Sequence, residues 1–230
     1  MASGSAADRI SEHRWPAATA LLIALALYAS LPSVFPVALR ATVLVIGIGL
    51  LVPLLIANPV RFERETRLTR TASVAQSLIL LAANQVAIVL LIVSLATPES
   101  GSGARLLLGA LQVWATNVIA VALVLWELDR GGPVARSVLN RPKLPAADLR
   151  FSQDEDHDAA DEVAAGSSRL TDWRPTFVDY LYTSLSNSMA FSASDSMPLS
   201  PRAKMLMGLQ AFSGFVILAL VIARAVSLLG

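Results

Sequence analysis

The chain has no cysteine, which excludes disulfides, thiolate metal ligands and cysteine nucleophiles together and leaves the redox compartment open. Its two histidines, His13 and His157, are too few and too far apart for a metal centre. Lys and Arg number 18 against 17 Asp and Glu, for a formal net charge of +1. No surplus of cation exists to hold a polyanion, so nucleic acid is excluded as a partner. Charged residues fill only 15% of the 230 positions while 55% are hydrophobic, which departs from soluble usage and places the chain in a bilayer. Its mass is carried by long apolar runs.

A hydrocarbon core of about 30 Å takes roughly 20 apolar residues as helix. Four stretches meet that length first: Ala17 to Val37, broken near its end by Pro32 and Pro36, then Ala41 to Asn58, Ser73 to Ala96, and Leu106 to Trp126. A fifth, Met205 to Leu229, closes the sequence with Arg224 near enough to its end to snorkel. Arg40 is the single charge between the first two, which therefore form a tight hairpin, and the Pro98, Gly101, Gly103 turn makes the third and fourth antiparallel neighbours. Arg9, His13 and Arg14 ahead of an apolar run have the outline of a signal peptide, but another span follows directly, so an uncleaved first helix is expected. The predicted fold class is all-α: a polytopic helical membrane protein of about five transmembrane helices plus one short re-entrant helix. Its regions are a polar tail 1–16, a four-helix membrane region 17–126, a polar linker 127–172 and a terminal module 173–230.

The spans hold no ionisable side chain at depth, which argues against proton coupling. Their interior polar residues are neutral: Gln76, Asn84 and Gln85 on the third, Gln112, Thr116 and Asn117 on the fourth, Gln210 and Ser213 on the fifth. Amides at mid-depth ordinarily bond between helices, at about 0.6–2 kcal/mol each; of these, Asn84, Gln85, Asn117 and Gln210 are singled out as the polar membrane interior. No P-loop, GxSxG elbow or HExxH occurs, and no span carries paired carboxylates. Enzymatic chemistry has no visible seat, and no cofactor is expected.

Arg61, Arg64, Arg67 and Arg70 recur every third residue, but Glu63, Glu65, Thr66 and Thr69 intervene, so the segment reads as a cytoplasmic loop able to touch anionic head groups. The carboxylate run from Asp154 to Glu162 lacks the central glycine and final glutamate of a calcium loop; together with Gly131-Gly132-Pro133 it reads as a solvated, mobile linker. Positive charge places the amino terminus, the arginine loop and the linker inside, and the carboxyl terminus outside.

Residues 171–229 differ in kind. Pro175 suits a first helical turn, with Asp172 or Thr171 available as cap, and Phe177, Leu181, Leu185 and Met189 fall on one face with Ser184, Asn187 and Ser188 off it. About fourteen such residues reach only some 21 Å, too short to cross, which makes a half-membrane re-entrant helix the natural solution. The order of short helix F-V-D-Y-L-Y-T-S-L, irregular loop, S-D-S-M-P-L-S-P-R-A-K and long closing helix resembles the pore module of bacterial two-transmembrane potassium-channel-like proteins. The resemblance covers about a quarter of the chain. It implies a filter at Ala190, Phe191, Ser192, Ala193, Ser194 and Asp195, a hinge at Gly214, and the fourth span as outer helix. Where that family places glycine-rich T-V-G-Y-G-D, this chain has serines and alanines, which leaves a degenerate filter and at most a weakly selective cation path. It further implies membrane lipids and monovalent cations as partners, a homo-oligomer, tetrameric if channel-like, and residence in a bacterial inner membrane. The lost glycines equally suit a non-conducting scaffold or partner subunit. An outward-facing filter requires the linker to cross to the outside; otherwise Phe177 to Ser200 is not that pore loop.

Overall fold

Prolines and glycines cut the apolar sequence into helices, and the computed structural model, which describes residues 12–33, 35–57, 66–96, 103–190 and 196–229, shows where each cut falls. α1 (Trp15–Ala29) takes Pro16 in its first turn, where the missing N–H costs nothing, and stops ahead of Pro32. Its 15 residues reach about 22 Å; the expected run to Val37 ends early because Pro32 and Pro36 cannot continue the hydrogen-bond ladder. α2 (Val37–Ala57) begins directly after Pro36 and carries Pro53 within it. α3 (Arg67–Ala96) starts before its apolar run, because Thr66 and Thr69 cap its first turn by exchanging N–H to hydroxyl bonds of 3.0 and 3.1 Å. α4 (Gly103–Leu128) ends at the Gly131-Gly132 turn, where φ values of 79° and 92° need glycine. At Gly132 a Cβ would also lie 1.9 Å from the Arg70 guanidinium.

Past the turn come α5 (Pro133–Val138), strand β1 (Leu149–Phe151), α6 (Asp161–Ala164), α7 (Ser168–Thr171), α8 (Phe177–Ala190), strand β2 (Ser196–Pro198) and α9 (Pro201–Leu229). Ser200 caps α9, its hydroxyl accepting the Ala203 N–H at 3.2 Å. β1 and β2 form a two-stranded antiparallel ribbon that sets Leu149 opposite Pro198 and Phe151 opposite Ser196.

Four helices are long and apolar enough to cross a membrane: Val37–Ile56, Arg67–Leu95, Gly103–Gly131 and Pro201–Ser227. The chain is an all-α helical membrane protein. α4 is its central column: 72% of its apolar window is buried within the protein, against 22–39% for the other three. It packs on α1, α3, α8 and α9, while α2 lies outside against α1 and α3.

Helix direction alternates, so the start of α1, the end of α2, the start of α3, the end of α4 and the start of α9 share one end. Contacts fix this: Arg14 donates to the Leu54 carbonyl, Arg70 to Glu127 and Arg202 to the Leu128 carbonyl. Arg14, Arg67, Arg70, Arg130, Arg136, Arg141, Arg150, Arg174 and Arg202 gather at this end, whereas Arg40, Arg105 and Arg224 belong to the other. Positive charge is thus concentrated at one end of the bundle. Residues 127–172 stay at that end and do not cross.

Glu155, Asp158, Asp161 and Glu162 of the carboxylate run are exposed, as expected of a solvated linker, but other charged residues of the segment are not. The segment folds onto the end of α4 and buries Asp129, Arg130, Arg136 and Asp148 almost completely. Arg130 pairs with Asp129 and Asp154, Asp148 with Arg202, and Arg136 lies 3.8 Å from Glu12, so burying them leaves few uncompensated ions.

Candidate functional site

α8 is built inside out for an aqueous protein. Thr183, Ser184, Asn187 and Ser188 are buried, while Val178, Tyr182, Leu185 and Met189 are exposed, Met189 at 62%. Apolar residues facing outward and polar residues facing inward are stable only where the surroundings are hydrocarbon. The expected stripe of Phe177, Leu181, Leu185 and Met189 therefore does not form a buried face as a unit: Phe177 is buried beneath the polar end, and Leu185 and Met189 face out.

The polar side of α8 is spent on its neighbours. Ser184 Oγ donates to the Val118 carbonyl of α4 at 2.7 Å and accepts Gln210 Nε2 at 2.6 Å. Asn187 Nδ2 donates to Gln210 Oε1 and to the Met207 carbonyl, each at 2.9 Å. On the opposite side of α4, Asn117 Nδ2 donates to Asn84 Oδ1 at 2.9 Å, and Asn84 Nδ2 to the Val113 carbonyl at 3.0 Å. Ser213 Oγ reaches Gln85 Oε1 at 3.4 Å, and Gln85 Nε2 has no partner among the described residues. Of the four sequence-selected residues, Asn84 and Asn117 are bonded to each other between α3 and α4, Gln210 joins α8 to α9, and Gln85 reaches Ser213 of α9. Sequence reasoning missed Ser184 and Asn187 as partners of Gln210. Their signal was polarity on the face of α8 opposite the apolar stripe.

The depth of α8 follows from its contacts. The Phe177 ring meets Trp126 edge-on at 5.8 Å, Ser184 lies beside Val118, and Ser188 and Met189 stand with Leu111 and Trp114. α8 therefore runs antiparallel to α4 over about half its length. By Ser196 the chain is back at the level of Tyr180, because Ser196 pairs with Phe151, whose ring is 5.4 Å from that of Tyr180. Ala190 closes α8; the filter-like Phe191, Ser192, Ala193, Ser194 and Asp195 lie outside the described residues. Gly214 sits within an unbroken α9, and a Cβ there would come 2.8 Å from the Ser188 carbonyl. Its missing side chain lets the two backbones touch.

The second constellation is the carboxyl end of α4, whose last carbonyls have no helical partner. Arginines from three segments take them. Arg136 donates to Trp126 O at 2.9 Å and Asp129 O at 2.7 Å, Arg70 to Glu127 O at 2.5 Å, and Arg202 to Leu128 O at 3.3 Å. Cations here also meet the negative end of the helix dipole, worth about 0.3–1 kcal/mol each. Asp129 organises the other side: Oδ1 accepts the Asp148 and Leu149 N–H groups at 2.6 and 3.3 Å, and Oδ2 accepts the Tyr180 hydroxyl at 2.5 Å. Arg202 closes on Asp148 through two bonds of 2.7 and 2.6 Å. Asp129, Asp148 and Arg202 thereby lock the ends of α4, β1 and α9 together.

Glu12, from the amino-terminal segment, reaches into this array. Its Oε1 accepts Trp126 Nε1 at 2.9 Å and the Phe177 N–H at 2.6 Å, so it caps α8, and Oε2 is 3.8 Å from Arg136. Burial lifts the Glu12 carboxyl above its ordinary value, against the pull of Arg136 and of the two N–H donors. In the same array, the Arg130 guanidinium lies 2.5 Å from Asp154 and 3.8 Å from Asp129.

Helices, inverted α8 and charged end together define an integral membrane protein. No family model, curated protein or solved structure matches the chain.

Proposed function

We propose that the chain is a membrane-embedded scaffold or partner subunit built around a re-entrant α8, sharing the architecture of an ion-channel pore module without its conduction. The observation that carries this reading is the commitment of Ser184, Asn187 and Gln210 to one another and to the Val118 and Met207 carbonyls. Side chains so engaged hold helices together and are not free to line a path for ions. The side of α8 left over is apolar, as a face for lipid or for another membrane helix must be. The cytoplasmic membrane of a bacterium suits the arginine distribution.

A second reading, a weakly selective cation path shared by four copies, is favoured by one feature. α8 ends half-way along the bundle with its carbonyl end foremost, and the partial negative charge there favours a cation.

Flux from vesicles reconstituted with the full chain separates the two. Release of potassium or sodium at the rate of protein-free vesicles is expected. Flux above that background, altered by Asn187→Leu, overturns the scaffold reading and establishes the pore.

A further inference from the structure

α8 stops at Ala190 while α4 and α9 continue to the far end, and below its tip their facing surfaces separate. The gap is a cavity of about 270 Å³ walled by Leu111 and Trp114 of α4, Met189 of α8, and Ile217, Leu218 and Val221 of α9. It lies within two spanning helices, so its open side faces hydrocarbon; Leu111 and Leu218 are 59% and 50% exposed there. The hydroxyl on its lining, Ser188, already donates to the Leu185 carbonyl at 2.8 Å. Among the described residues no charged side chain lines it, and water does not fill apolar space of this kind.

Size decides between the apolar occupants. A helix is 10–12 Å across, so half a bilayer of helix needs roughly 1,200 Å³, more than four times the cavity. A helix of a second copy does not fit. Part of a single flexible hydrocarbon chain does, with the rest lying along the open side.

Charge decides where its head lies. Arg224 follows Val221 by three residues and so shares the cavity face of α9 one turn nearer the far end. Its Nε is buried and has no hydrogen-bond partner among the described residues. Arg105 stands exposed in the first turn of α4 at the same end. From Gly214 to Arg224 is about 15 Å of helix, the depth of one leaflet.

We propose that this cavity seats one acyl chain of an anionic phospholipid from the leaflet opposite the arginine-rich end, with its phosphate at Arg224. The proposal rests on the re-entrant reading of α8.

Trp114 lines the cavity and reports on it. Phosphatidylglycerol brominated on its acyl chains is titrated into the full chain in non-ionic detergent, and the Trp114 signal is taken as the difference from a Trp114→Phe variant. Quenching that saturates at one lipid per chain is expected. Ala110→Leu, which fills the cavity from α4, weakens binding about tenfold, or ~1.4 kcal/mol; if that variant fails to fold, Leu218→Phe on the half-exposed rim does the same. Arg224→Gln weakens phosphatidylglycerol by a similar factor and leaves brominated phosphatidylcholine unchanged. Quenching that rises without saturation and ignores all three substitutions overturns the site. So does a chain whose Trp114 is shielded by dimerisation, or one that retains an isoprenoid in place of the phospholipid. Should single-cysteine labelling put residues 169 and 197 on opposite faces, the re-entrant reading fails, whatever the quenching shows.

Discussion

Asp129 is completely buried and accepts three hydrogen bonds from α8 and the start of β1. Asp129→Ala removes a buried anion from beside Arg130 and leaves the Asp148 and Leu149 N–H groups unpaired. A loss of about 3–5 kcal/mol is expected, read as a lowered midpoint of unfolding in detergent. Tyr180→Phe deletes only the hydroxyl and is expected to cost about 1–3 kcal/mol. Glu12 gives a pH signature. Its carboxyl is raised in the folded protein from 4.5, so its contribution to stability is full below that value and is lost as pH rises through the folded one. Glu12→Gln keeps an acceptor for Trp126 and Phe177 without the charge. The variant is expected to lack this decline from about pH 4.5 upward, as thermal midpoints measured across pH will show.

At the scale of elements, the contact between α8 and α9 makes the sharpest prediction. Gly214→Ala places a methyl 2.8 Å from a backbone carbonyl that cannot rotate away. About 1–3 kcal/mol of destabilisation is expected from this overpacking. Gly208→Ala is the matched control on the same helix, where a Cβ meets nothing within 4 Å; it is expected to be neutral or to gain up to about 1 kcal/mol of helix propensity. Equal losses at both positions would show that α9 suffers from substitution generally and that the α8 contact carries no special weight. The long helices were legible from their apolar runs, because a bilayer demands length and an unbroken ladder. Short α8 was legible as too brief to cross. Which side of it faces inward was not, since apolar-out packing reverses the usual inference from periodicity.

For the molecule as a whole, sidedness is the property to test, and the lack of native cysteine makes it straightforward. Arg169→Cys and Met197→Cys are both expected to react with a membrane-impermeant maleimide from the cytoplasmic face, and Arg105→Cys from the opposite face. Reaction of residues 169 and 197 from opposite faces would contradict the helix order found here, and reaction of both from outside would reverse the sidedness. The charged region after α4 was the least legible part of the chain. Composition showed carboxylates, arginines, prolines and glycines and hence a solvated linker, yet Asp129, Asp148, Arg130 and Arg136 are buried: Arg202 pairs with Asp148, Glu12 stands 3.8 Å from Arg136, and Arg130 lies between Asp129 and Asp154.

The sequence by itself determined that this chain lies in a membrane, where its apolar runs fall, which end carries the arginines and that α8 is too short to cross; of the five long helices expected, four are long enough to span, because prolines 32 and 36 cut the first short. Those properties depend on apolar length and on charge counted along the chain, and both are local quantities. Tertiary structure alone decided that α4 is the central column, that Asn187 and Gln210 bond to each other, and that arginines 70, 136 and 202 converge on the same helix end. Such partners lie tens of residues apart, and only the packed fold sets the distances over which a hydrogen bond or an ion pair acts.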